Sequence, residues 1–324
     1  MLKQNILITS AGKRVVLTEI FKEAIKLRDL SAKVYTTDMH PELASAGYVS
    51  DGCFSVSRCT DDDYLPQLLN LCESYAIGII VPTIDTELEL LAKNRERFLE
   101  LGTEIIVPDF SFVHICRDKR LTNDLFEQLG IRVPRVVDKL HPTFPLFAKP
   151  YDGSLSMNLH IVTKASELTE SILQDSKLLF MEYIDRSIYK EFTVDMYYGR
   201  DAYVKAIVPR ERLEIRAGEI NKGITRKNQI VDYLRQRMDY LPGVRGCICL
   251  QLFYHPETKD IVGIEINPRF GGGYPLSYHA KANYPMAIID EYLLDKDLSY
   301  YDDWADNTLM LRYDKEIVVQ DFSF

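Results

Sequence analysis

The sequence predicts a parallel α/β sheet over residues 1–110, followed by an α+β region with a largely antiparallel sheet. In the first part, short β-rich runs alternate with helical patterns, which is typical of a doubly wound parallel sheet. After residue 140, strands follow one another with fewer helices, which favours antiparallel pairing. With 46% hydrophobic and 27% charged residues among 324, the composition is that of a folded globular protein.

The elements of the first part are short and closely spaced. In a parallel sheet, ligands bind at the carboxyl ends of the strands. A structural role is an equal alternative for each residue there; Asp85, for example, would also serve as the cap of the following helix. Strands are predicted at 6–9, 34–37, 53–56, 77–82 and 104–108, helices at 15–28, 64–75 and 86–101, and the edge residues are Ser10, Gly12, Asp38, Thr83, Asp85 and Glu87.

The second part begins with a helix predicted over residues 112–129, which Gly130 would end. A proline-interrupted strand over 131–137 is predicted next. No long polar linker separates the parts, so the boundary near residue 110 is predicted to be a change of architecture. The later strands are predicted at 146–149, 159–163, 178–184, 191–198, 202–216, 247–255 and 261–267.

Charge and apolar runs exclude several classes of protein. The 39 Lys and Arg against 48 Asp and Glu give a net charge of −9, which argues against a general nucleic-acid binder. The longest apolar runs, 77–82 and 246–252, are far shorter than the ~18 residues of a membrane span. The amino terminus has the pattern of a strand rather than a signal peptide, so we expect a cytoplasmic protein with no membrane partner.

Several catalytic motifs are absent from the sequence. It contains no GxxxxGK[ST] phosphate loop, no GxSxG nucleophile elbow and no HExxH metal motif. The six cysteines form no CxxC pair, so we expect buried reduced thiols.

Residues 247–255 and 261–267 predict a β-hairpin. If the hairpin is symmetric about Thr258, Gln251 pairs with Glu265, and Asn267 shares their face. Burying a carboxylate on a sheet face costs free energy unless a cation compensates its charge. Oxygen ligands of this kind suit Mg²⁺. A solvated polar face is the alternative. The opposite face would be aliphatic, with Ile248, Leu250, Leu252, Val262, Ile264 and Ile266.

The segment GIEINPR, residues 263–269, resembles the metal-binding hairpin of the ATP-grasp superfamily, close to its carbamoyl phosphate synthase-like, carboxylate–amine ligase branch. Further segments resemble the family in the same order: Asp118-Lys119 with LGIRVP at 129–134, FAKP at 147–150, MEYI at 181–184 and EFTVD at 191–195. The resemblance implies a Rossmann-like pre-ATP-grasp domain over 1–110, a small ATP-grasp subdomain over 111–184 and a large one over 185–324.

The resemblance also implies roles for individual residues toward ATP and Mg²⁺. The phosphates would be neutralised by Lys119 and Lys149, and the ribose would be held by Glu191. Adenine would be read by the backbone of Glu182, Tyr183 and Ile184. One or two Mg²⁺ ions would be held by the oxygen ligands Gln251, Glu265 and Asn267.

The loop at residues 151–158 departs from the family pattern, because it has fewer glycines than usual. Either the hydroxyls of Ser154 and Ser156 replace backbone contacts to phosphate, or the phosphate clamp is weaker.

Other basic residues are candidates for an anionic ligand. Arg210, Arg212 and Arg216 alternate along one predicted strand, so they are expected to face one way, toward a ligand or toward solvent. The segment 218–225 resembles the part of the family that lies beside the triphosphate, which makes Lys222 a candidate. Arg269, with Arg216, would stabilise a developing oxyanion.

The resemblance implies an ADP-forming ligase that activates a small-molecule carboxylate as an acyl phosphate and joins it to an amine. One alternative is phosphorylation of bicarbonate or carbamate, as in carbamoyl phosphate synthase. The other is an ATP-binding module without catalytic activity. A homodimer is expected only from the general frequency of such assemblies.

Overall fold

A computed structural model describes residues 3–152, 158–216 and 218–322. Its strands form a five-stranded, a three-stranded and a six-stranded sheet. The first is parallel and the other two are antiparallel, so the predicted change of architecture is confirmed. One sheet falls within each of the ranges 1–110, 111–184 and 185–324; the boundaries themselves stay predictions.

The first sheet has the strand order β3-β2-β1-β4-β5. Its strand β4 is buried at every position, as expected where helices cover both faces of a parallel sheet. The single helix predicted over 86–101 is wrong, because Asn94 interrupts it. The elements are β1 (Asn5–Thr9), α1 (Val15–Leu27), β2 (Val34–Asp38), α2 (Ser45–Val49), β3 (Cys53–Ser55), α3 (Tyr64–Ser74), β4 (Ile77–Pro82), α4 (Asp85–Lys93), α5 (Arg95–Leu99) and β5 (Glu104–Ile105).

Two helices, α6 (Phe110–Arg117) and α7 (Lys119–Gln128), replace the single helix predicted over 112–129. The backbone of Asp118 between them is extended, and its carboxylate accepts a hydrogen bond from the N–H of Arg120, which caps α7. Gly130 follows α7 with a φ of 69°, as predicted for a helix end. The strand predicted over 131–137 is wrong: residues 132 and 136 form only isolated bridges, and Pro134 between them has no N–H to donate.

The small sheet has the order β7-β6-β8. Strand β6 lies at its centre and pairs antiparallel with both neighbours. Lys149, near the end of β6, pairs with Leu179 of β8. The elements are β6 (Leu146–Pro150), β7 (His160–Val162), α8 (Glu170–Gln174) and β8 (Leu178–Glu182).

The large sheet has the order β13-β12-β9-β10-β11-β14. Its side chains share one hydrophobic core with β1, α1 and the helices at 229–238 and 284–292. The periodicity of the sequence does not indicate β11, β14 or these helices. The elements are β9 (Lys190–Tyr198), β10 (Val204–Arg216), β11 (Glu219–Thr225), α9 (Gln229–Met238), β12 (Gly246–Tyr254), β13 (Ile261–Asn267), α10 (Pro275–His279), α11 (Tyr284–Tyr292) and β14 (Leu309–Leu311).

The predicted register of the β12–β13 hairpin is confirmed at its functional pair, Gln251 with Glu265. A β-bulge then shifts the pairing, so that Phe253 pairs with Val262. The placement of Val262 on the aliphatic face is therefore wrong, and it packs with Phe253 on the other face.

Within the described ranges, none of the helices combines the length and the apolar composition that a bilayer crossing requires. All six cysteines are free; three are buried, as predicted, and three are partly exposed.

A buried ion pair joins two strands of the large sheet. Arg210 of β10 donates to both carboxylate oxygens of Asp195 in β9, at 2.7 and 2.8 Å, and the two side chains are 1% and 0% exposed. Ser277 and Cys249 also donate to this carboxylate, at 2.6 and 3.1 Å. Burial opposes the charge on Arg210, but Asp195 outweighs burial and raises the pKa of the guanidinium.

We expect Asp195→Asn to lower the free energy of unfolding by about 3–5 kcal/mol, because it leaves the buried charge of Arg210 uncompensated. The matched control is Asp314→Asn, which breaks the exposed ion pair between Asp314 and Arg216. Arg216 lies on the same strand as Arg210, and losing this pair should lower the free energy of unfolding by less than about 1 kcal/mol. Denaturant unfolding of the three proteins measures both differences. Equal losses for the two variants would show that the buried pair has no special role.

Candidate active site

One face of the large sheet carries polar side chains on adjacent strands. Gln251 of β12 pairs with Thr193 of β9 on one side and with Glu265 of β13 on the other. Because directly paired residues share a face, these side chains form one row across three strands.

Two of the predicted metal ligands, Gln251 and Glu265, lie in this row, and the third, Asn267, lies on the same face two residues beyond Glu265. Glu265 accepts a hydrogen bond from the side-chain amide of Asn267 at 3.1 Å, and Gln251 pairs directly with Glu265. The structure thus brings Gln251, Glu265 and Asn267 together as the sequence predicted. Among the described residues there is no cluster of three or more His, Cys, Asp or Glu side chains suited to a metal, so this set combines one carboxylate with two amides.

Two buried lysines lie near the polar row, and one of them, Lys149, is influenced by the charge of Glu265. Lys149 and Lys119 are 6% and 9% exposed. Burial lowers the pKa of Lys149 to about 8; the negative charge of Glu265 opposes this shift, and the positive charge of Lys119 adds to it. The small sheet and α7 therefore direct their cations toward the polar face of the large sheet.

Arg269, two residues beyond Asn267, connects this face to the first domain. Its guanidinium contacts the carboxylate of Asp85 at 2.8 Å, and Asp85 outweighs burial and raises the pKa of Arg269. Asp85 makes no helix-capping contact, because Glu87 instead accepts from the N–H groups of Thr83 and Ile84 at 2.9 and 3.2 Å. Of the two roles considered for Asp85, the helix cap is therefore not observed, and a role toward a ligand stays a prediction.

The side chains predicted at the carboxyl edge of the first sheet contact one another, as expected. Asp38 accepts from the N–H of Gly12 at 3.1 Å, and Ser10 donates to Glu87 at 3.0 Å. Tyr64, which the sequence analysis did not single out, also donates to Glu87, at 2.5 Å. The fully buried Glu87 is thereby satisfied, which gives it a structural role.

Glu191, the predicted ribose acid, has both carboxylate oxygens engaged by arginines. Arg212 contacts one at 2.5 Å and Arg186 the other at 3.1 Å. Arg212 also donates to Gln251 at 3.4 Å, so it connects Glu191 to the polar row. Its role toward ribose stays a prediction.

The segment of Glu182, Tyr183 and Ile184 follows the last strand of the small sheet. The carboxylate of Glu182 contacts Arg132 and Arg135, which fixes the segment before β6 against β8. Ile184 packs with Phe253 and Val262 in a small apolar cluster beside the polar row. The sequence did not predict Phe253 and Val262 at this site, because the β-bulge that brings Val262 to this face leaves no signal in the periodicity.

The structure separates the remaining candidates from this group. Arg216 is 66% exposed and contacts Asp314 at 3.0 Å, while Lys222 contacts Glu214 at 2.6 Å and is about half exposed. Two shifts in register between Arg212 and Arg216 interrupt the predicted alternation of the arginines. Ser154 lies outside the described residues.

Two family models match the chain. The PylC-like N-terminal domain model matches residues 6–106, and the model described as ATP-grasp in the biosynthetic pathway with Ter operon matches residues 174–311. No curated protein sequence matches the chain.

Solved structures share its architecture at low sequence identity. The biotin carboxylase domain of Hydrogenobacter thermophilus 2-oxoglutarate carboxylase is 13% identical with a TM-score of 0.71, over 95% of this chain and 73% of that one. N5-carboxyaminoimidazole synthetase from Staphylococcus aureus is 16% identical with a TM-score of 0.68, over 95% and 80%. L-amino acid ligase from Bacillus licheniformis is 17% identical with a TM-score of 0.66, over 90% and 75%. The family matches and the shared fold agree with the resemblance: an ATP-grasp model matches residues 174–311, a PylC-like model matches residues 6–106, and the solved structures share the fold.

Proposed function

We propose that the protein is an ATP- and Mg²⁺-dependent ligase that activates a small-molecule carboxylate and joins it to an amine, with release of ADP and phosphate. The observation that carries this proposal is the position of Lys149, a buried lysine beside Glu265 in the cleft between two sheets. Within the described parts of the chain, Lys149 forms no ion pair. A buried ammonium needs a compensating anion, and a polyphosphate would supply it.

The residues present fit both a nucleotide and Mg²⁺. Lys149 and Lys119 would neutralise phosphate charge, and the apolar cluster around Ile184 and Phe253 would receive a planar base. Gln251, Glu265 and Asn267 offer the oxygen ligands that Mg²⁺ prefers, and one carboxylate in the set is usual where phosphates supply further ligands. Mg²⁺ would contribute neutralisation of charge on the transferring phosphoryl group.

The chemistry follows from this arrangement. A carboxylate oxygen of the substrate attacks the γ-phosphorus of ATP; the bond to the bridging oxygen breaks, and ADP leaves with that electron pair. The amine then attacks the acyl phosphate carbon, phosphate leaves, and the amine loses a proton. Because such transfers need positioning and neutralised charge rather than a protein nucleophile, the buried cations and Arg269 suffice.

Replacing the single acid of the metal set tests the function. We expect Glu265→Gln to lower the rate of ADP release roughly 100-fold or more, because charge stabilisation in a transition state is lost. Glu257→Gln, at the exposed turn of the same hairpin, is the matched control and should retain full activity.

The assay supplies Mg²⁺ and ATP with panels of carboxylic acids and amines, and mass spectrometry identifies the product. A ligase releases ADP only when both acceptors are present. Equal rates for the Glu265→Gln and Glu257→Gln proteins would remove Glu265 from the site.

The pKa of Lys149 predicts a pH dependence of ATP binding. Below about pH 8 the ammonium is charged and attracts phosphate; above it the amine is neutral, so affinity for ATP should fall about tenfold between about pH 7 and pH 9. Lys149→Arg keeps its charge over this range and should not show the fall. Isothermal titration calorimetry measures both profiles, and parallel curves would assign the titration to another group.

A further inference from the structure

A cavity of about 300 Å³ lies where four parts of the chain meet: the start of α1, the start of β11, the segment that carries α10, and the end of β14. Its volume is at the lower end for small-molecule sites. Its walls divide into a charged side and an apolar side. The charged residues are Lys13, Arg14, Glu219 and Arg312, and the apolar ones include Leu17, Tyr274, Met310 and Leu311.

The charged side has an excess of positive charge. Glu219 accepts from Arg312 at 3.1 Å and lies 3.5 Å from Lys13 and 3.8 Å from Arg14. Burial disfavours the charge on Glu219, but the three cations outweigh burial and lower its pKa. Among the described lining residues Glu219 is the only acid, so three cations surround one anion.

Arg14 places this cavity next to the candidate active site. Burial lowers the pKa of Arg14, and the positive charge of Arg269 lowers it further. Gly272, three residues after Arg269, lies against Nη1 of Arg14, and Asp85 forms its ion pair with Arg269. An anion at Arg14 would relieve this repulsion.

Gly272 sets the shape of the charged side. A Cβ at this position would lie 2.6 Å from a carboxylate oxygen of Glu219 and 2.8 Å from Nη1 of Arg14. Only a residue without a side chain lets the backbone approach both groups this closely.

We propose that this cavity binds the acid substrate of the ligase, and that this substrate is a small carboxylic acid with an apolar body. Its carboxylate contacts Arg14 and Arg312 at the end nearest Arg269, and its body packs on Leu17, Tyr274 and Met310. Glu219 is a positioning residue that holds the cations. The inference rests on the proposed function for the reaction, but the binding of the acid is measurable without turnover.

The first experiment measures binding in the absence of ATP. Saturation-transfer NMR compares phenylacetate and hexanoate with phenylacetamide, which lacks the charge, and with succinate, which lacks the apolar body. We expect the two amphiphilic acids to bind and the other two compounds to bind at least tenfold more weakly. Binding of phenylacetamide as strong as that of phenylacetate would overturn the proposal, and preferred binding of succinate would overturn the assignment of an apolar body.

Variants locate the binding. Arg14→Gln and Arg312→Gln should each weaken binding of phenylacetate roughly tenfold or more, because a charge-assisted hydrogen bond is lost. Gly272→Ala should do the same while keeping every charge. Arg58→Gln, an exposed arginine of the first domain, is the control and should bind like the wild type. Circular dichroism verifies that each variant is folded.

Turnover separates this inference from the proposed function. If acids support ADP release and Arg14→Gln and Gly272→Ala leave their KM unchanged, the cavity assignment fails and the ligase stands. If no acid supports ADP release but the variants abolish binding of phenylacetate, the cavity stands and the proposed function fails. When the cavity assignment and the proposed function both hold, the KM for the acid rises at least tenfold in Arg14→Gln and Gly272→Ala. The KM for ATP then stays within about twofold of the wild-type value.

Discussion

The buried ion pair between Arg210 and Asp195 fixes the part of the chain on which both halves of the cleft depend. The carboxylate joins two strands and also accepts from Ser277, so it holds the segment after β13 against the large sheet. That segment carries Arg269 and Gly272. A Cβ on Gly273 would lie 2.2 Å from Nη1 of Arg210, a buried nitrogen that has no hydrogen-bond partner in the described part of the chain. The backbone can therefore lie directly on the guanidinium, which sets the height of the segment above the sheet. Because one carboxylate balances the charge and anchors three elements, its removal affects position as well as stability.

A chain with a net charge of −9 nevertheless concentrates positive charge in one cleft. Lys119 and Lys149 are buried in the cleft, and Arg269 joins them from the large sheet. Each comes from a different element, so the fold gathers positive charge that the overall composition conceals. In a cleft from which water is partly excluded, these cations act on a ligand more strongly than exposed ones do. The neighbouring Arg14 extends the same positive region toward the first domain.

Much of the fold followed from the sequence, because alternation and continuous apolar runs report directly on burial. The buried strand β4 and the pair of Gln251 with Glu265 are examples, since each depends only on local pattern. What periodicity could not supply depends on tertiary contacts. The break at Asp118 is a capping interaction, and the bulge that moves Val262 places Gly263 close to the ring of Phe126, where a Cβ would lie 2.9 Å from it. Arg210 and Arg216 have the same pattern in sequence, yet one is buried against Asp195 and the other is exposed. Only the register of the neighbouring strand distinguishes them.

The position of Glu265 links the proposed metal ligands to the lysines proposed to bind phosphate. Its charge favours the protonated form of Lys149, while burial and Lys119 oppose that form. A divalent cation bound at Glu265 would offset its negative charge and so weaken its stabilisation of protonated Lys149. The phosphates that accompany such a cation would restore that stabilisation. Cation and polyphosphate therefore each make the other easier to bind, as linkage between two ligands requires. The cleft is consequently suited to a complex of the two rather than to either alone, and this preference arises from one carboxylate placed between two strands and a buried lysine.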